Sequence, residues 1–100
     1  EYACTFSALG CKVVQVDRAA RPLGFLDGEI LDHYLAEFTH GGAVWIGGRS
    51  AASVRWDGTS QVAVELDDGS QHRADKVLVA LGRSANVEGL GLDAAGVALT

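Results

Sequence analysis

The sequence predicts an α/β fold in which a parallel sheet is combined with a three-stranded antiparallel meander. Two runs, residues 12–16 and 76–81, are apolar enough to form strands that are covered on both faces. Residues 61–66 instead alternate between apolar and polar side chains, which is typical of a strand with one exposed face. The dipeptides Asp57-Gly58 and Asp68-Gly69 are typical of hairpin turns and bound this alternating stretch.

Composition limits the possible functions. A chain of 100 residues can form one small domain, and 48% apolar with 21% charged residues is ordinary for a globular protein. The formal net charge of −5 argues against a nucleic-acid partner, because phosphate binding needs clustered Lys and Arg. No apolar run approaches the roughly 20 residues of a membrane span. Two cysteines do not form a disulfide framework, which favours a cytoplasmic location.

The first half of the chain is expected to alternate helix, strand, helix, strand. Gly10 is a typical C-terminal stop for a helix that begins the chain, and Asp27 is the expected N-cap of the second helix. The predicted elements are a helix over residues 1–9, a strand over residues 12–16 closed by Asp17, a helix from Asp27 to Gly41-Gly42, and a strand over residues 43–46.

The second half is predicted to contain the meander and one more buried strand. The meander strands cover residues 53–56, 61–66 and 71–74, and residues 76–81 form the buried parallel strand. Residues 88–97 are rich in Gly and Leu and are expected to form a loop or one helical turn.

This order of elements, with an acid closing one strand and Gly82-Arg83 closing another, resembles the NAD(P)-binding domain of FAD-dependent pyridine nucleotide–disulfide oxidoreductases. The resemblance is carried by the Glu1–Gly10 helix, Asp17, the Phe25–Ile30 helix entry, Ala80–Arg83, Asn86 and Gly89–Leu92. Within the family, Glu1-Tyr2-Ala3 and Gly82–Asn86 look most like the soluble pyridine nucleotide transhydrogenases. Many other members have Pro where Ala85 stands, but dihydrolipoamide dehydrogenase and mercuric reductase remain close alternatives.

The resemblance implies a Rossmann-like domain whose first strand and Gly-rich phosphate loop are missing from this chain. Residues 1–87 would be a partial NAD(P)-binding domain, with the meander at 49–75, and residues 88–100 would begin the connection back to the FAD domain. Without the first strand, we expect strands 12–16 and 76–81 either to pair directly or to borrow a strand from a neighbouring molecule, as a strand exchange or dimer.

Asp17 is the main candidate for a binding residue. A carboxylate at the carboxyl end of a buried parallel strand lies where open α/β sheets bind ligands, and it can accept hydrogen bonds from the adenosine ribose. The plainer alternative is a solvated turn residue. Arg18 and Arg21 follow it, and arginines at this place can accept a 2′-phosphate, although a solvated basic loop is the alternative for each.

The resemblance adds three cofactor-binding positions. The backbone of Ser50 would meet the adenine, Gly82 would let the backbone approach the nucleotide, and Glu1 would lie near the flavin and the nicotinamide. No residue is expected to act as a catalytic acid, base or nucleophile, and no metal site is expected. Cys4 and Cys11 are expected to be small buried hydrophobic residues, since their spacing is not Cys-x-x-Cys.

For the parent protein, the resemblance implies hydride exchange between NADPH and NAD through FAD. The cofactor of this part would be NAD(P), whereas FAD would be bound by the rest of the parent, and the fragment alone is not expected to be active. The alternatives are a dihydrolipoamide dehydrogenase or other disulfide reductase domain, and a non-catalytic NAD-sensing module. The expected partners are a pyridine nucleotide and the remainder of the parent flavoprotein.

Overall fold

The computed structural model describes residues 1–98, and the prediction for residues 88–100 therefore includes two residues, Leu99 and Thr100, that lie outside the described part. The described elements are α1 (Tyr2–Ala8), β1 (Val14–Asp17), α2 (Gly28–His40), β2 (Val44–Gly47), β3 (Ala51–Trp56), β4 (Val62–Leu66) and β5 (Gln71–Ala74). None of the helices in residues 1–98 is long and apolar enough to cross a membrane.

β1 and β2 form a parallel pair that is connected by α2. Val14 lies beside Val44 in the register, and Asp17 lies beside Gly47, so the two strands end at the same edge. The side chain of Asp27 accepts a hydrogen bond from the Glu29 N–H at 2.9 Å, which confirms the predicted N-cap. Two of the four buried hydrophobic residues that form the small core of residues 1–98, Leu31 and Phe38, lie on α2, and the other two are Ala43, just after the helix, and Leu66, at the end of β4.

The predicted meander is confirmed, with β4 in the middle of the three-stranded antiparallel sheet. Gly58 and Gly69 adopt φ values of 88° and 82°, which L side chains rarely adopt, so both hairpin turns depend on glycine. One carboxylate oxygen of Asp57 accepts backbone hydrogen bonds from Thr59, Ser60 and Gln61 at 2.8–3.0 Å. These donors stabilise the charged form and lower the pKa of Asp57 to about 2.

The prediction of a buried strand over residues 76–81 is wrong for this chain. These residues belong to no strand, and Val79 and Leu81 are 68% and 95% exposed. Among the described elements β1 pairs only with β2, so its other edge has no neighbour and Val14 is 48% exposed rather than buried. Direct pairing between residues 12–16 and 76–81 is therefore also wrong, while strand exchange with a neighbouring molecule stays a prediction.

The dimensions of the chain show how much apolar surface is left uncovered. Its radius of gyration is 17.7 Å, whereas a compact domain of this length has about 13 Å. Its accessible surface is 8024 Å², whereas a folded monomer of 10.4 kDa exposes about 5,400 Å². The sequence has enough apolar residues for a domain core, but in this chain much of that surface has nothing to pack against.

Candidate functional site

A cleft of about 2390 Å³ lies between the uncovered edge of β1 and residues 76–83, and it is larger than the roughly 300–1,000 Å³ of a small-molecule pocket. Its lining includes all of the residues for which the sequence predicted cofactor contacts: Glu1, Asp17, Arg18, Ser50 and Gly82. The carboxyl ends of β1 and β2 meet at one edge of the sheet, which explains why Asp17 and Ser50 reach the same cleft. The roles of these residues stay predictions, but their placement in one cleft is what such roles require.

Asp17 ends β1 and is exposed to solvent. Its Oδ1 atom accepts a hydrogen bond from the Ala19 N–H at 2.9 Å, which fixes the carboxylate in a tight turn. Among residues 1–98, no donor lies within hydrogen-bond distance of Oδ2. The carboxylate therefore has one oxygen that sets its orientation and a second one that can accept hydrogen bonds from a ligand hydroxyl.

The loop after Asp17 lies tightly against the end of β2. The Ala19 carbonyl accepts a hydrogen bond from the Gly48 N–H at 3.1 Å, and the Ala20 carbonyl accepts one from Trp45 Nε1 at 3.1 Å. A Cβ atom on Gly47 would lie 2.2 Å from the Ala20 carbonyl oxygen, so only glycine permits this approach. These contacts fix the backbone that carries Arg18.

The two arginines that the sequence placed beside Asp17 have different surroundings. Arg18 lines the cleft, whereas Arg21 does not. The Nη2 atom of Arg21 donates to the Gly28 carbonyl at 3.1 Å and forms an ion pair with Asp32 on α2. Arg21 is thus directed to the first turns of α2, and Arg18 is the arginine of this loop that faces the cleft.

Arg49 also lines the cleft and was missed by the sequence analysis. Its backbone N–H donates to the Asp17 carbonyl at 3.0 Å, and its Nε donates to Asp68 Oδ2 at 2.9 Å. The neighbouring Ser50 is fixed from the same turn, since its N–H donates to Asp67 Oδ2 at 3.1 Å. The signal was present in the sequence, because Arg49 follows Gly47-Gly48 at the carboxyl end of a strand parallel to β1.

Gly82 and Glu1 lie on the other walls of the cleft. Gly82 has a φ of 151°, which disfavours any residue with a Cβ, and no atom lies within 4 Å of where a Cβ would be. The structure therefore leaves space at this backbone for a ligand to approach. Glu1 precedes α1, is exposed, and makes no capping hydrogen bond with its side chain.

The cysteines lie in two different places. Cys4 faces a smaller groove of about 340 Å³ between α1 and α2, where its Sγ lies 3.3 Å from the hydroxyl of Tyr34. Burial, together with this contact, raises the pKa of Tyr34 to about 12. The expectation that both cysteines are buried is wrong for Cys11, which is exposed and lines the large cleft just after α1 ends.

The model of a protein family described as pyridine nucleotide-disulphide oxidoreductase matches residues 1–100. The chain belongs to this family.

Curated relatives that the chain matches are soluble pyridine nucleotide transhydrogenases. It is 39% identical over 97 residues to the soluble pyridine nucleotide transhydrogenase of Chromohalobacter salexigens, and 37% identical over 97 residues to that of Marinobacter nauticus. Each match covers 97% of this chain and 21% of the relative. The chain thus spans about a fifth of the length of the curated relatives it matches.

Solved structures of oxidoreductases share the fold. A ferredoxin reductase from Rhodopseudomonas palustris superposes with a TM-score of 0.81 at 29% identity, over 99% of this chain and 24% of that protein. The HOCl-induced flavoprotein disulfide reductase of Escherichia coli, solved as a Cu(II) complex, superposes with a TM-score of 0.82 at 25% identity, over 99% of this chain and 22% of that protein.

Proposed function

We propose that the chain is the NAD(P)-binding part of a cytoplasmic flavoprotein oxidoreductase that exchanges hydride between NADPH and NAD through FAD. The observation that carries this proposal is the cleft that gathers Asp17, Arg18, Ser50, Gly82 and Glu1. The choice of transhydrogenase over other reductases is supported by curated relatives of that name, at 34–39% identity over 97% of the chain.

The residues of the chain fit the adenosine half of a pyridine nucleotide. Asp17 presents a free carboxylate oxygen at a strand end, where it can accept hydrogen bonds from the ribose hydroxyls. The backbone around Ser50 is fixed by the Asp67 turn and would form the wall beside the adenine. Gly82 leaves its backbone accessible, as a close approach to the nucleotide requires.

The work of this part of the protein is to bind and orient the coenzyme. FAD, when bound by the parent, supplies the hydride chemistry. Asp17 and Ser50 would fix the adenosine, and Gly82 would allow the backbone of its loop to lie against the nucleotide. Glu1, at the start of α1, is proposed to lie near the nicotinamide end. In this arrangement none of these side chains needs to act as a nucleophile.

The test uses the full-length parent protein with its flavin. We expect it to reduce an NAD⁺ analogue whose reduced form absorbs at its own wavelength, with NADPH as the hydride donor. Flavin absorbance followed in the same experiment should show reduction by NADPH and reoxidation by the analogue. A protein that binds neither flavin nor pyridine nucleotide would contradict the proposal.

A disulfide reductase is the second candidate, and the structural likeness to the flavoprotein disulfide reductase of Escherichia coli favours it. The same protein preparation distinguishes the two. Oxidation of NADH or NADPH that depends on a disulfide substrate such as lipoamide, without transfer to the NAD⁺ analogue, would favour the reductase. Binding of NAD without any flavin would favour a sensing module.

A further inference from the structure

Four arginines in the described part of the chain line the cleft: Arg18, Arg49, Arg73 and Arg83. Of these, Arg18 and Arg49 follow the carboxyl ends of β1 and β2, beside Asp17. Arg18 follows Asp17 directly, and Arg49 comes from the loop after β2. The hydrogen bond from the Arg49 N–H to the Asp17 carbonyl, at 3.0 Å, joins the two backbones. Both arginines line the cleft, while Arg21 is paired with Asp32 outside its lining.

The side chain of Arg49 is oriented by the turn between β4 and β5. Its Nε donates to Asp68 Oδ2 at 2.9 Å, and its Nη1 lies 3.4 Å from the Gly48 carbonyl. The other oxygen of Asp68 accepts hydrogen bonds from the Ser70 hydroxyl at 2.6 Å and the Ser70 N–H at 2.9 Å. Ser70 therefore fixes one oxygen of Asp68, and the other oxygen of Asp68 orients Arg49.

This arrangement leaves Arg49 with donors to spare. A guanidinium has five N–H donors in a rigid fork, and Asp68 and the Gly48 carbonyl use two of them, on Nε and Nη1. The side chain is 46% exposed and lines the cleft, so the remaining donors can reach a ligand. Such a fork matches the oxygens of a phosphate group, which it can bind with two parallel hydrogen bonds.

We propose that Arg49, positioned by Asp68, is the second arginine, with Arg18, that binds the 2′-phosphate of an NADP-type coenzyme. The proposal rests on the proposed function, because it concerns the same adenosine site. A 2′-phosphate is a dianion, and the carboxylate of Asp17 repels it. Arg18 offsets the charge of Asp17. The charge of Arg49 is offset by Asp68, so its contribution to phosphate binding is the set of guanidinium N–H donors that Asp68 does not use. The site then accepts a ribose diol through Asp17 and a ribose phosphate through Arg18 and Arg49.

The experiment measures binding to the full-length flavoprotein by calorimetry, with adenosine 2′,5′-bisphosphate and 5′-AMP as probes. These probes differ only in the 2′-phosphate. We expect Arg49→Gln to weaken the bisphosphate about tenfold, equivalent to about 1.4 kcal/mol, and to change 5′-AMP less than about twofold. Arg49→Lys keeps the charge without the fork, so it should lose a smaller part of the affinity.

Arg21→Gln is the matched control, since it removes the same charge from a paired arginine near the cleft. It should leave the ratio of the two affinities unchanged. Asp68→Asn removes the carboxylate that orients Arg49, and it also removes a negative charge. If Asp68 acts through Arg49, Asp68→Asn should change the ratio of the two affinities more in the wild-type background than in the Arg49→Gln background.

Equal effects of Arg49→Gln and Arg21→Gln would overturn the assignment of Arg49. So would an equal loss of both probes in Arg49→Gln, since that indicates a contact to the rest of the nucleotide. A wild-type protein that binds neither probe would overturn the proposed function together with this inference, whereas normal binding of both probes by all variants overturns the inference alone.

Discussion

The Asp17→Asn substitution tests the ribose contact most simply. The structure separates the two oxygens of the side chain: Oδ1 accepts from the Ala19 N–H at 2.9 Å, and Oδ2 is available to a ligand. Asparagine keeps an oxygen for the Ala19 contact, so the turn should persist. It replaces the second oxygen by an amide nitrogen, which cannot accept a hydrogen bond from a ribose hydroxyl.

The expected magnitude follows from the loss of one hydrogen bond to a charged acceptor. Such bonds contribute about 1.5–3 kcal/mol, and the exposed position of Asp17 favours the lower end. We therefore expect the dissociation constant for NAD⁺ to rise about tenfold in the full-length protein. The constant for NADP⁺ should stay the same or fall, because the substitution also removes a negative charge that repels the 2′-phosphate.

Calorimetry with both coenzymes checks this prediction, and Asp93→Asn is the control because Asp93 is exposed and does not line the cleft. Equal weakening of NAD⁺ and NADP⁺ by Asp17→Asn would refute the ribose contact and indicate a general disturbance of the loop. No change relative to Asp93→Asn would place the adenosine elsewhere.

Three further predictions concern the chain itself. The isolated chain should bind NAD⁺ at least tenfold more weakly than the full-length protein, because its 100 residues contain no Gly-x-Gly-x-x-Gly segment to bind the pyrophosphate. Calorimetry giving micromolar affinity for the isolated chain would contradict this. Leu66→Ala, at a side chain only 1% exposed, should lower the free energy of unfolding by about 2–5 kcal/mol in urea titrations. The control Leu90→Ala, at an exposed side chain, should change it by less than about 0.5 kcal/mol. Equal effects of the two substitutions would show that Leu66 is not part of a packed core. Folding lowers the pKa of Asp57 from 3.8 to about 2, so the contribution of Asp57 to stability is present above pH 3.8 and is lost as the pH falls toward 2. Asp57→Asn should therefore flatten that part of the acid unfolding curve. An unchanged curve would contradict the hydrogen-bond pattern of this turn.

The sequence predicted most elements correctly because their signals are local. The cap at Asp27, the stop at Gly10 and the two Asp-Gly turns each depend on a residue and its near neighbours. The alternation of residues 62–66 likewise reports on one strand alone. These features depend on contacts between residues that are close in the sequence.

The prediction of a strand over residues 76–81 was wrong because a buried strand depends on contacts with residues distant in the sequence. An apolar run indicates that a segment can be buried, but burial and strand pairing need a neighbour that the run itself does not supply. In this chain β1 pairs only with β2 among the described elements, and Val79 and Leu81 stay exposed. Cys11 was also predicted to be buried, but it lines the cleft just before β1 and is exposed.

The candidate site was predicted in part. The position of Asp17 follows from the rule that ligands bind at the carboxyl ends of parallel strands. Arg49 lies at the end of the adjacent strand and obeys the same rule, but its link to Asp68 joins residues 19 positions apart and cannot be seen in the sequence. The sequence could not show which of Arg18 and Arg21 faces the cleft, because a hydrogen bond from Arg21 to Gly28 of α2 sets the direction of Arg21.

Hydrogen exchange of the full-length protein, with and without NAD⁺, tests the central claim most directly. If the cleft is the coenzyme site, NAD⁺ should slow exchange in the peptides that cover residues 14–19, 48–51 and 80–83, and leave the turn at residues 57–61 unchanged. Protection confined to other regions, or unchanged exchange in all three peptides at saturating NAD⁺, would contradict the account.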